Sequence, residues 1–489
     1  MRSAYDAATI RAAEQPLHDS LPEGALMQRA AFALARRCAE LVAPVYGARV
    51  VVLAGSGGNG GDALYAAAHL ARRGALVDAL LLTGSPLAPA LAAFHDAGGR
   101  SRPAGVDSDA GLIAAADLVL DGMVGIGASG PLREPMARVA GLLSDGSATV
   151  VAVDVPSGVD ASTGVVEGVA VRADVTVTFG GIKTGLLVAP GAEHAGVVDH
   201  VDIGLDLPVA QVTALDAADV DDRLPRPGAD SDKYRRGVLG VVAGSNAYPG
   251  AALLCVGGAL ATGPGMVRFV GTYGPAHVVR LRHPEAVVTE IADGDGDAMI
   301  GAGRVQAWAV GPGIGTGAEG EALVAAALAT EVPVLLDADA TTIVATNPSM
   351  LTPRSAPTLL TPHAGELARL TGKERDWIEA HRLEAVRDAA GSLGATVLLK
   401  GSTTLVADPG GAVRVNTAST PYLATAGSGD VLSGVCGALL AGGLDALDAG
   451  SVGAFLHGLA GLVAAGNPAV PVTAGDVAGS ISEAIRLTR

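Results

Sequence analysis

Cysteine is scarce in this 489-residue chain, and its scarcity excludes two kinds of site. Cys38, Cys255 and Cys436 lie far apart in apolar stretches, without the spacing of a structural zinc site. They are also too few for a disulfide-stabilised framework. We therefore expect all three thiols to be buried as small hydrophobic side chains in a reducing compartment, the cytoplasm.

Positive charge is also in short supply. The chain has 33 Lys and Arg residues against 50 Asp and Glu residues, which gives a formal net charge of −17. Such an acidic chain lacks the cationic field that nucleic-acid phosphates require, so we expect no nucleic-acid partner. Anionic substrates have to be held by local devices such as helix N-termini and backbone amides.

Long uninterrupted apolar runs are missing as well. Residues 1–11 contain no apolar segment of the kind found in signal peptides. The most apolar stretch, 434–466, is interrupted by Asp445 and Asp448, which favours two buried helices over a membrane span. We therefore expect a cytoplasmic protein with no membrane partner.

The chain is rich in hydrophobic residues, glycine and proline. Hydrophobic residues make up 49%, enough for a sizeable core, and 68 glycines with 27 prolines indicate many tight turns. Two α/β blocks follow each other, so we predict a domain over 1–210, a polar, proline-containing linker over 211–232 and a domain over 233–489.

In the first block, apolar strands alternate with helices, which predicts a parallel, doubly wound Rossmann-like sheet. The predicted strands are 49–54, 76–82, 117–121, 149–153 and 174–179, and the predicted helices are 21–42 and 61–73. In the second block the predicted strands are 238–243, 266–271, 307–310, 332–336, 358–360, 395–400 and 403–407, and the predicted helices are 250–261, 431–440 and 449–465.

Three turns that carry Asp and Gly follow strands of the first block: GSGGNGGD over 55–62, DGMVGIG over 121–127 and DVPSGVD over 154–160. Each alone could be a simple tight turn or helix cap, but together they favour one crevice at the sheet edge. Oxygen ligands from Asn59, Asp121 and Ser157 suit a hard metal cation. Asp154 or Asp62 could transfer a proton.

With Thr178-Phe179-Gly180-Gly181-Ile182-Lys183, these motifs resemble the epimerase half of the bifunctional nicotinamide-nucleotide hydrate repair enzymes, which interconvert the R and S epimers of hydrated NADH and NADPH. The resemblance implies a K⁺ site at Asn59, Asp121 and Ser157, with Asp154 as the proton-transfer group. It implies substrate contacts at Gly58, Asn59, Gly60, Gly61, Asp62, Gly125, Ile126, Gly127, Ala128, Ser129, Gly130, Pro131 and Asp154. Gly58 departs from the family, which usually has asparagine there, and Ala63 stands where the family usually has glycine.

The second block contains a constellation typical of phosphoryl transfer. Ala426-Gly427-Ser428-Gly429-Asp430 precedes an apolar helix, so amides that bind an oxyanion lie beside a carboxylate base. Asp430 could instead only cap its helix. Lys400-Gly401-Ser402-Thr403-Thr404 follows a strand and can contact nucleotide phosphates. His363, in Thr361-Pro362-His363-Ala364-Gly365-Glu366, is either a ligand contact or a helix-cap histidine.

With GPGIG over 311–315 and the segments 232–237 and 244–252, this block resembles the ribokinase-like ADP- or ATP-dependent NAD(P)H-hydrate dehydratases. The resemblance implies ADP as co-substrate, Mg²⁺ in this domain and Asp430 as catalytic base. It implies hydrate contacts at Ala251, Gly313, Gly315, His363 and Asp430, and nucleotide contacts at Lys400, Gly401, Ser402, Thr403, Thr404, Gly427 and Gly429.

Together the two resemblances predict an enzyme that repairs hydrated NADH and NADPH (NADHX and NADPHX). The first half epimerises the hydrates, and the second dehydrates the S epimer with ADP, releasing AMP and phosphate. We expect a homo-oligomer. Two other functions stay open at this point: a ribokinase-like small-molecule kinase with an accessory nucleotide-binding domain, and a non-catalytic binding protein whose first half senses nucleotides.

Overall fold

The structure, a computed structural model, describes residues 1–82, 84, 87–105, 108–144, 146–352 and 354–489. The chain divides into two compact units. The N-terminal unit is Ser3–Val212, and the C-terminal unit is Thr213–Arg489 together with Met1–Arg2.

The N-terminal unit alternates strands and helices along most of its length. Its strands are β1 (Arg2–Tyr5), β2 (Arg49–Ala54), β3 (Leu76–Leu81), β4 (Arg100–Pro103), β5 (Leu118–Gly122), β6 (Thr149–Val153), β7 (Val175–Phe179), β8 (Ile182–Lys183) and β9 (Val197–Val201). Its helices are α1 (Ala7–Ser20), α2 (Ala25–Leu41), α3 (Gly58–Arg72), α4 (Ala88–Asp96), α5 (Ser108–Ala114), α6 (Met136–Leu143) and α7 (Ala192–Ala195), with a 3₁₀ turn at Thr184–Leu186.

The sheet of this unit is covered on both faces, as the apolar strands predict. In β2, Val50 and Val52 pack into one core with α2 and α3, whereas Val51 and Leu53 pack into the other core with α6. Successive strand residues point to opposite faces, so a strand with two covered faces has to be apolar throughout. The predicted doubly wound architecture is confirmed.

All neighbouring strands of this sheet are parallel, in the order β4-β3-β2-β5-β6-β7-β9. The order reverses between β2 and β5, since the chain moves outward to β4 and then returns to the other side of β2. Ligands of open α/β sheets bind at such a reversal, beyond the carboxyl ends of the strands. The glycine turn after β2 and Asp121 in β5 both lie there.

The C-terminal unit has the same alternation with more helices. Its strands are β10 (Val212–Ala214), β11 (Val238–Val242), β12 (Met266–Gly271), β13 (Val287–Glu290), β14 (Ala307–Val310), β15 (Val334–Leu336), β16 (Thr358–Leu360), β17 (Thr396–Leu399), β18 (Thr404–Ala407) and β19 (Val413–Asn416). Its helices are α8 (Ala217–Arg223), α9 (Pro249–Thr262), α10 (Tyr273–Arg282), α11 (Gly296–Gly301), α12 (Ala318–Leu328), α13 (Asp339–Thr346), α14 (Ala364–Thr371), α15 (Arg375–Ala380), α16 (Arg382–Leu393), α17 (Ser428–Ala441), α18 (Ala446–Ala465) and α19 (Ala474–Leu487).

The strands from β13 to β17 run parallel in the order β13-β12-β11-β14-β15-β16-β17, and β18 and β19 continue the sheet antiparallel. Helices α9, α17, α18 and α19 share one large core on one face. The order reverses between β11 and β14, where the turns after the two strands meet through a 2.7 Å hydrogen bond from Gly244 N to Pro312 O. We therefore expect the second ligand site at this reversal of strand order.

Several elements differ from the sequence-based expectations. The stretch 211–232 contains β10 and α8, and the side chains of Leu215, Val220 and Leu224 lie in the core of the C-terminal unit. Helix α8 begins with a capping box between Asp216 and Asp219, a signal that the polar composition obscured.

The three cysteines are free and buried, as expected. The apolar stretch 434–466 lies within two helices, α17 and α18, also as expected. Among the described residues, α18 is the one helix with the length and apolarity of a membrane span, and 67% of its most apolar window is buried in the unit. Core helices have the same composition, because they too are apolar on most sides.

Candidate active sites

In the N-terminal unit, the glycine turn opens α3 earlier than predicted. The helix begins at Gly58, not at residue 61, with Gly57 as its N-cap. Gly58, Asn59 and Gly60 therefore lie in the first turn, where backbone N–H groups lack intrahelical acceptors and attract anions. Gly61 follows, and its N–H already bonds Gly57 O at 3.2 Å.

The expected metal ligands come together beside this turn. Asp121 and Ser157 are completely buried, and the carboxylate of Asp121 accepts hydrogen bonds from Ser157 Oγ at 2.6 Å and Ser157 N at 2.8 Å. Asn59 Nδ2 donates to Val153 O at 2.5 Å and to Val124 O at 3.1 Å. Burial raises the pKa of Asp121 to about 6, although its hydrogen bonds oppose the rise.

Gly125 is required by this arrangement. A Cβ on Gly125 would lie 2.4 Å from Asn59 Oδ1, so any larger residue would displace the amide. The expected substrate loop continues from Gly125 through Ile126 to a set of exposed residues: Gly127, Ala128, Ser129, Gly130 and Pro131. Its start is held by Arg11 of α1, whose Nη2 donates to Ile126 O at 3.0 Å.

Asp154 is constrained both by its backbone conformation and by its hydrogen bonds. It has a φ of +69°, in the left-handed region that non-glycine residues rarely adopt, at a cost of about 1–3 kcal/mol. Its Oδ1 accepts hydrogen bonds from Thr178 Oγ1 and Phe179 N, both 3.1 Å, and from the ammonium of the buried Lys183. A strained residue with this many partners is typical of a functional position.

Asp62, Glu14 and Lys183 are the titratable groups that lie near Asp154 in this site. Burial raises the pKa of Asp62 well above its usual value, the charges of Asp154 and Glu14 raise it further, and Lys183 opposes the rise. Our site prediction left out Lys183, Glu14 and Arg11. The lysine stands in the motif quoted for the family, so it could have been found; the polar helix α1, which carries Glu14 and Arg11, offered no signal.

In the C-terminal unit, Asp430 lies in the first turn of α17, after the N-cap Gly427. Burial raises the pKa of Asp430 to about 7, Asp337 raises it further, Lys400 opposes the rise, and Asp339 adds to it. A carboxyl group that is half ionised near neutral pH is well suited to accept a proton during catalysis.

Asp337 links these residues. It is almost completely buried, and its carboxylate accepts hydrogen bonds from Lys400 Nζ at 2.8 Å and from Ser433 Oγ at 2.6 Å. Lys400 also lies 3.7 Å from Glu366. We did not predict Asp337, although it follows the buried strand β15 in the way that Asp154 follows β6. The next residue, Ala338, has a φ of +50°, which repeats the backbone strain seen at Asp154.

A cavity of about 600 Å³ opens beside Lys400, within the usual range for small-molecule sites. Lys400, Gly401, Ser402, Thr404, Gly429 and His363 line it among the predicted residues. Thr403 is buried behind the lining and Gly427 lies outside it. Arg375, Asn416, Thr420 and His457 also line it and were not predicted.

Arg382 holds the loop after β17 in place. Its side chain is 2% exposed, and Nη2 donates to the carbonyls of Lys400 at 2.9 Å, Thr403 at 3.3 Å and Leu399 at 3.4 Å. A Cβ on Gly401 would lie 2.2 Å from this nitrogen, so the glycine admits the guanidinium. Arg382 was not among the residues predicted from the sequence.

His363 caps α14. Its Nδ1 accepts hydrogen bonds from Gly365 N at 2.9 Å and Glu366 N at 3.2 Å, the helix-cap interpretation left open above. The same residue lines the cavity, and burial lowers the pKa of its imidazole. Capping fixes the ring without removing it from the site.

The residues expected to touch the hydrate surround the first half of α9. A Cβ on Gly313 would lie 3.1 Å from Ala251 Cβ, and one on Gly427 would lie 2.3 Å from Leu254, one turn after Ala251. Gly315 N donates to Asp339 Oδ2 at 2.9 Å. Gly427 and Asp339 connect these hydrate-site residues to Asp430 on one side. On the other side, Lys400 and Gly429 line the cavity and lie next to Asp430.

Comparisons with known proteins agree with this division. The family model described as NAD(P)H-hydrate dehydratase matches residues 239–483, and the one described as YjeF-related protein N-terminus matches residues 23–185. The bifunctional NAD(P)H-hydrate repair enzyme Nnr of Mycobacterium tuberculosis is 51% identical over 450 residues, which are 91% of this chain and 90% of that protein. The chain belongs to the bifunctional NAD(P)H-hydrate repair enzymes.

Other members of the repair enzyme family match over the whole length. The protein of the same name from Mycobacterium leprae is 48% identical and covers 99% of both chains. The crystal structure of ADP/ATP-dependent NAD(P)H-hydrate dehydratase from Bacillus subtilis, co-crystallised with ATP and Mg²⁺, covers 57% of this chain and 99% of that one, with a TM-score of 0.52 and 26% identity. The predicted family and the ribokinase-like fold of the second half are confirmed.

Proposed function

We propose that the N-terminal unit interconverts the R and S epimers of hydrated NADH and NADPH. The C-terminal unit then dehydrates the S epimer with ADP and releases AMP and phosphate. The observation that carries the proposal is the position of Asp430, between a cavity that suits a nucleotide and the glycine turns beside α9. Family membership over nine-tenths of the chain supports both activities.

The dehydratase chemistry follows from the arrangement around Asp430. Hydroxide is a poor leaving group and phosphate a good one, so the hydroxyl group is first phosphorylated by the nucleotide. Asp430 accepts the hydroxyl proton, and the amides at the start of α17 together with Lys400 stabilise charge on the phosphoryl oxygens. Loss of phosphate from that carbon and of a proton from the neighbouring ring carbon then restores the double bond of the nicotinamide ring.

Lys400 and Gly401–Thr404 would hold the nucleotide phosphates. Within the described ranges, no cluster of three or more His, Cys, Asp or Glu side chains is arranged to hold a metal ion. Magnesium commonly binds through one or two carboxylates and the substrate phosphates, which fits a site of this kind. Bound Mg²⁺ would neutralise phosphate charge, with Glu366 or Asp337 as the nearest carboxylates.

The residues Asn59, Asp121 and Ser157 fit a potassium ion. Met123 N, Ser157 N and Ser157 Oγ, the donors to Asp121 among the described residues, are all neutral, so its buried carboxylate has no cationic partner there. Asn59 uses Nδ2 for backbone carbonyls, which leaves Oδ1 as an oxygen ligand. Bound K⁺ would balance the charge of Asp121 and stabilise the loop that begins at Gly125.

We also expect a homo-oligomer in the cytoplasm, where three buried free thiols are stable. Light scattering after size-exclusion chromatography measures the oligomeric state directly.

The function is tested by incubating chemically hydrated NADH with the full-length protein, with and without ADP. Recovery of the reduced-nicotinamide absorbance with release of free phosphate, only with ADP, supports the proposal. A phosphorylated product that persists would instead identify a kinase. The Asp430→Asn variant serves as the matched control, since it should interconvert the epimers without restoring NADH.

A further inference from the structure

We propose that Asp62 is the proton donor that works with Asp154, the expected proton-transfer group of the epimerase unit, and that Lys183 is the residue that positions Asp154. The inference rests on the proposed epimerase function and assigns the proton transfers within that site. Asp62 is the proton donor and Asp154 the proton acceptor.

The backbone brings the two carboxylates to one crevice. Asn59 in the first turn of α3 donates a 2.5 Å hydrogen bond to Val153 O at the end of β6. Asp62 lies three residues after Asn59 and so occupies the same face of α3. Asp154 is the residue directly after Val153. The bond between α3 and β6 therefore fixes both carboxylates at the same strand end.

The carboxylate of Asp154 uses Oδ1 for hydrogen bonds within the protein, which leaves Oδ2 for a ligand. The three hydrogen bonds that the described residues make to its carboxylate, from Thr178, Phe179 and Lys183, all reach Oδ1. The residue is only 7% exposed, yet Oδ2 accepts no hydrogen bond from the part of the chain that the structure describes. The ion pair with Lys183 therefore engages Oδ1 and leaves Oδ2 as the atom that can accept a proton.

Lys183 is itself fixed. It is 1% exposed, and its ammonium also donates to Phe179 O at 2.7 Å. A lysine held by both a carboxylate and a carbonyl has little freedom to approach a substrate. It therefore acts through Asp154, by setting the direction in which Oδ2 points.

Asp62 has the opposite character. Its Oδ1 is buried and has no hydrogen-bond partner among the described residues. Burial raises the pKa of Asp62 well above its usual value, and Asp154 and Glu14 add to the rise, which favours the protonated form that a proton donor needs. Two carboxyl groups in one crevice with different environments, one ion-paired with a lysine and the other buried without a partner among the described residues, are typical of a base and an acid in one site.

This pair suits the chemistry of a hydrated nicotinamide ring. Water adds to an enamine at the carbon next to nitrogen, so the hydroxyl carbon of the hydrate is a hemiaminal carbon. Asp154 takes the hydroxyl proton while the carbon–nitrogen bond breaks. The bond's electron pair goes to nitrogen, which receives the proton of Asp62, and an aldehyde forms.

Rotation about the neighbouring carbon–carbon bond then presents the other face of the aldehyde. The nitrogen attacks that face and returns its proton to Asp62, while the new hydroxyl oxygen takes back the proton from Asp154. Every atom and proton is recovered, so no oxidant, reductant or further reactant is needed. Both carboxyl groups end in their starting states, ready for the next turnover.

The test follows conversion of the pure R hydrate of NADH to the S hydrate by chromatography, with full-length protein in potassium buffer without ADP. Asp62→Asn and Asp154→Asn should each lower the rate about 10²–10⁴-fold, the usual contribution of positioned proton transfer. Dehydration of the S hydrate with ADP reports that the C-terminal unit of each variant is intact, and an unchanged thermal unfolding transition reports that the N-terminal unit, which carries the substitution, is folded.

The pH profile separates this role from a structural one. The charged groups facing Asp62 are Asp154 after β6, Glu14 on α1 and Lys183 on β8. Because epimerisation needs protonated Asp62, its rate falls at alkaline pH. Glu14→Gln removes a negative charge and should move this fall to lower pH. Lys183→Met removes a positive charge and should move it to higher pH, with a lower kcat.

The outcomes distinguish this inference from the proposed function beneath it. If the wild-type protein interconverts the hydrates and Asp62→Asn does so at the same rate, the acid assignment is wrong. If Lys183→Met slows the reaction but leaves the pH profile in place, the lysine is merely structural. A wild-type protein that does not interconvert the hydrates at all contradicts the epimerase function itself.

Discussion

Lys400 Nζ donates a 2.8 Å hydrogen bond to Asp337 Oδ1, and this ion pair lies beside the proposed base Asp430. The ammonium group of Lys400 pairs with the buried carboxylate of Asp337 and also opposes the rise in the pKa of Asp430. The nucleotide site and the proton-transfer site are therefore coupled through a single ammonium group.

Asp430→Asn should lower dehydration of the S hydrate by about 10²–10⁴-fold, because the amide cannot accept a proton. The fold and ADP binding should be retained, since the substituted group keeps its shape. In the wild-type protein the rate should rise with pH through about 7, the pKa of Asp430, and then level off. A variant with near-normal turnover would contradict the assignment.

Lys400→Met should weaken ADP binding, measured by calorimetry, and leave epimerisation unchanged. It should also move the pH profile of residual dehydration upward, because the lysine opposes the rise in the pKa of Asp430. Lys233→Met, which removes an exposed lysine of the same unit, is the control. Unchanged ADP affinity would place the nucleotide elsewhere.

Arg382→Lys should destabilise the loop that carries Lys400. The guanidinium bonds three backbone carbonyls, and a buried carbonyl left without a donor costs about 1–3 kcal/mol. We expect a lower melting temperature of the C-terminal unit and weaker ADP binding. Equal ADP affinity in the wild-type protein and the Arg382→Lys variant would show that the loop keeps its shape without the guanidinium group.

Asp121→Asn should abolish the response of epimerisation to potassium and remove most of that activity, because the cation loses its charged ligand. ADP-driven dehydration of the pure S hydrate should be unaffected. Asp78→Asn removes a partly exposed carboxylate of β3 that pairs with Arg100 and is the matched control. A potassium response that survives in Asp121→Asn would remove the proposed cation site.

Gly58→Asn should strengthen hydrate binding to the epimerase unit. Nothing lies within 4 Å of the position a Cβ would take at Gly58, so the side chain that the family usually carries can be accommodated. One neutral hydrogen bond contributes about 0.5–1.5 kcal/mol, or roughly 2–10-fold in KM. An unchanged KM would show that the asparagine side chain makes no contact in this chain.

The strands that could be predicted are those whose burial leaves a continuous apolar signal. The bounds of β2 and β6 were predicted to the residue, because both faces of these strands are covered. Strands β1 and β8 are short and could not be recognised from composition. They pair with each other in parallel, at Ala4 with Ile182 and Tyr5 with Lys183.

The candidate sites show the same limit. Residues in glycine-rich turns after strands, such as Asp154 and Lys400, could be predicted because the turn itself is a local signal. Glu14 and Arg382 lie on ordinary helices, and only the tertiary fold brings them to a site. Asp337 is intermediate: its position after β15 was a usable signal, but without a neighbouring glycine it was overlooked.

The two proposed sites of this chain are tested together when the R hydrate of NADH is supplied alone, with ADP and potassium. We expect complete conversion to NADH, faster than spontaneous epimerisation allows, since the N-terminal unit replenishes the S hydrate. If the R hydrate persists while the S hydrate disappears under the same conditions, the N-terminal unit does not epimerise and the proposed function is wrong.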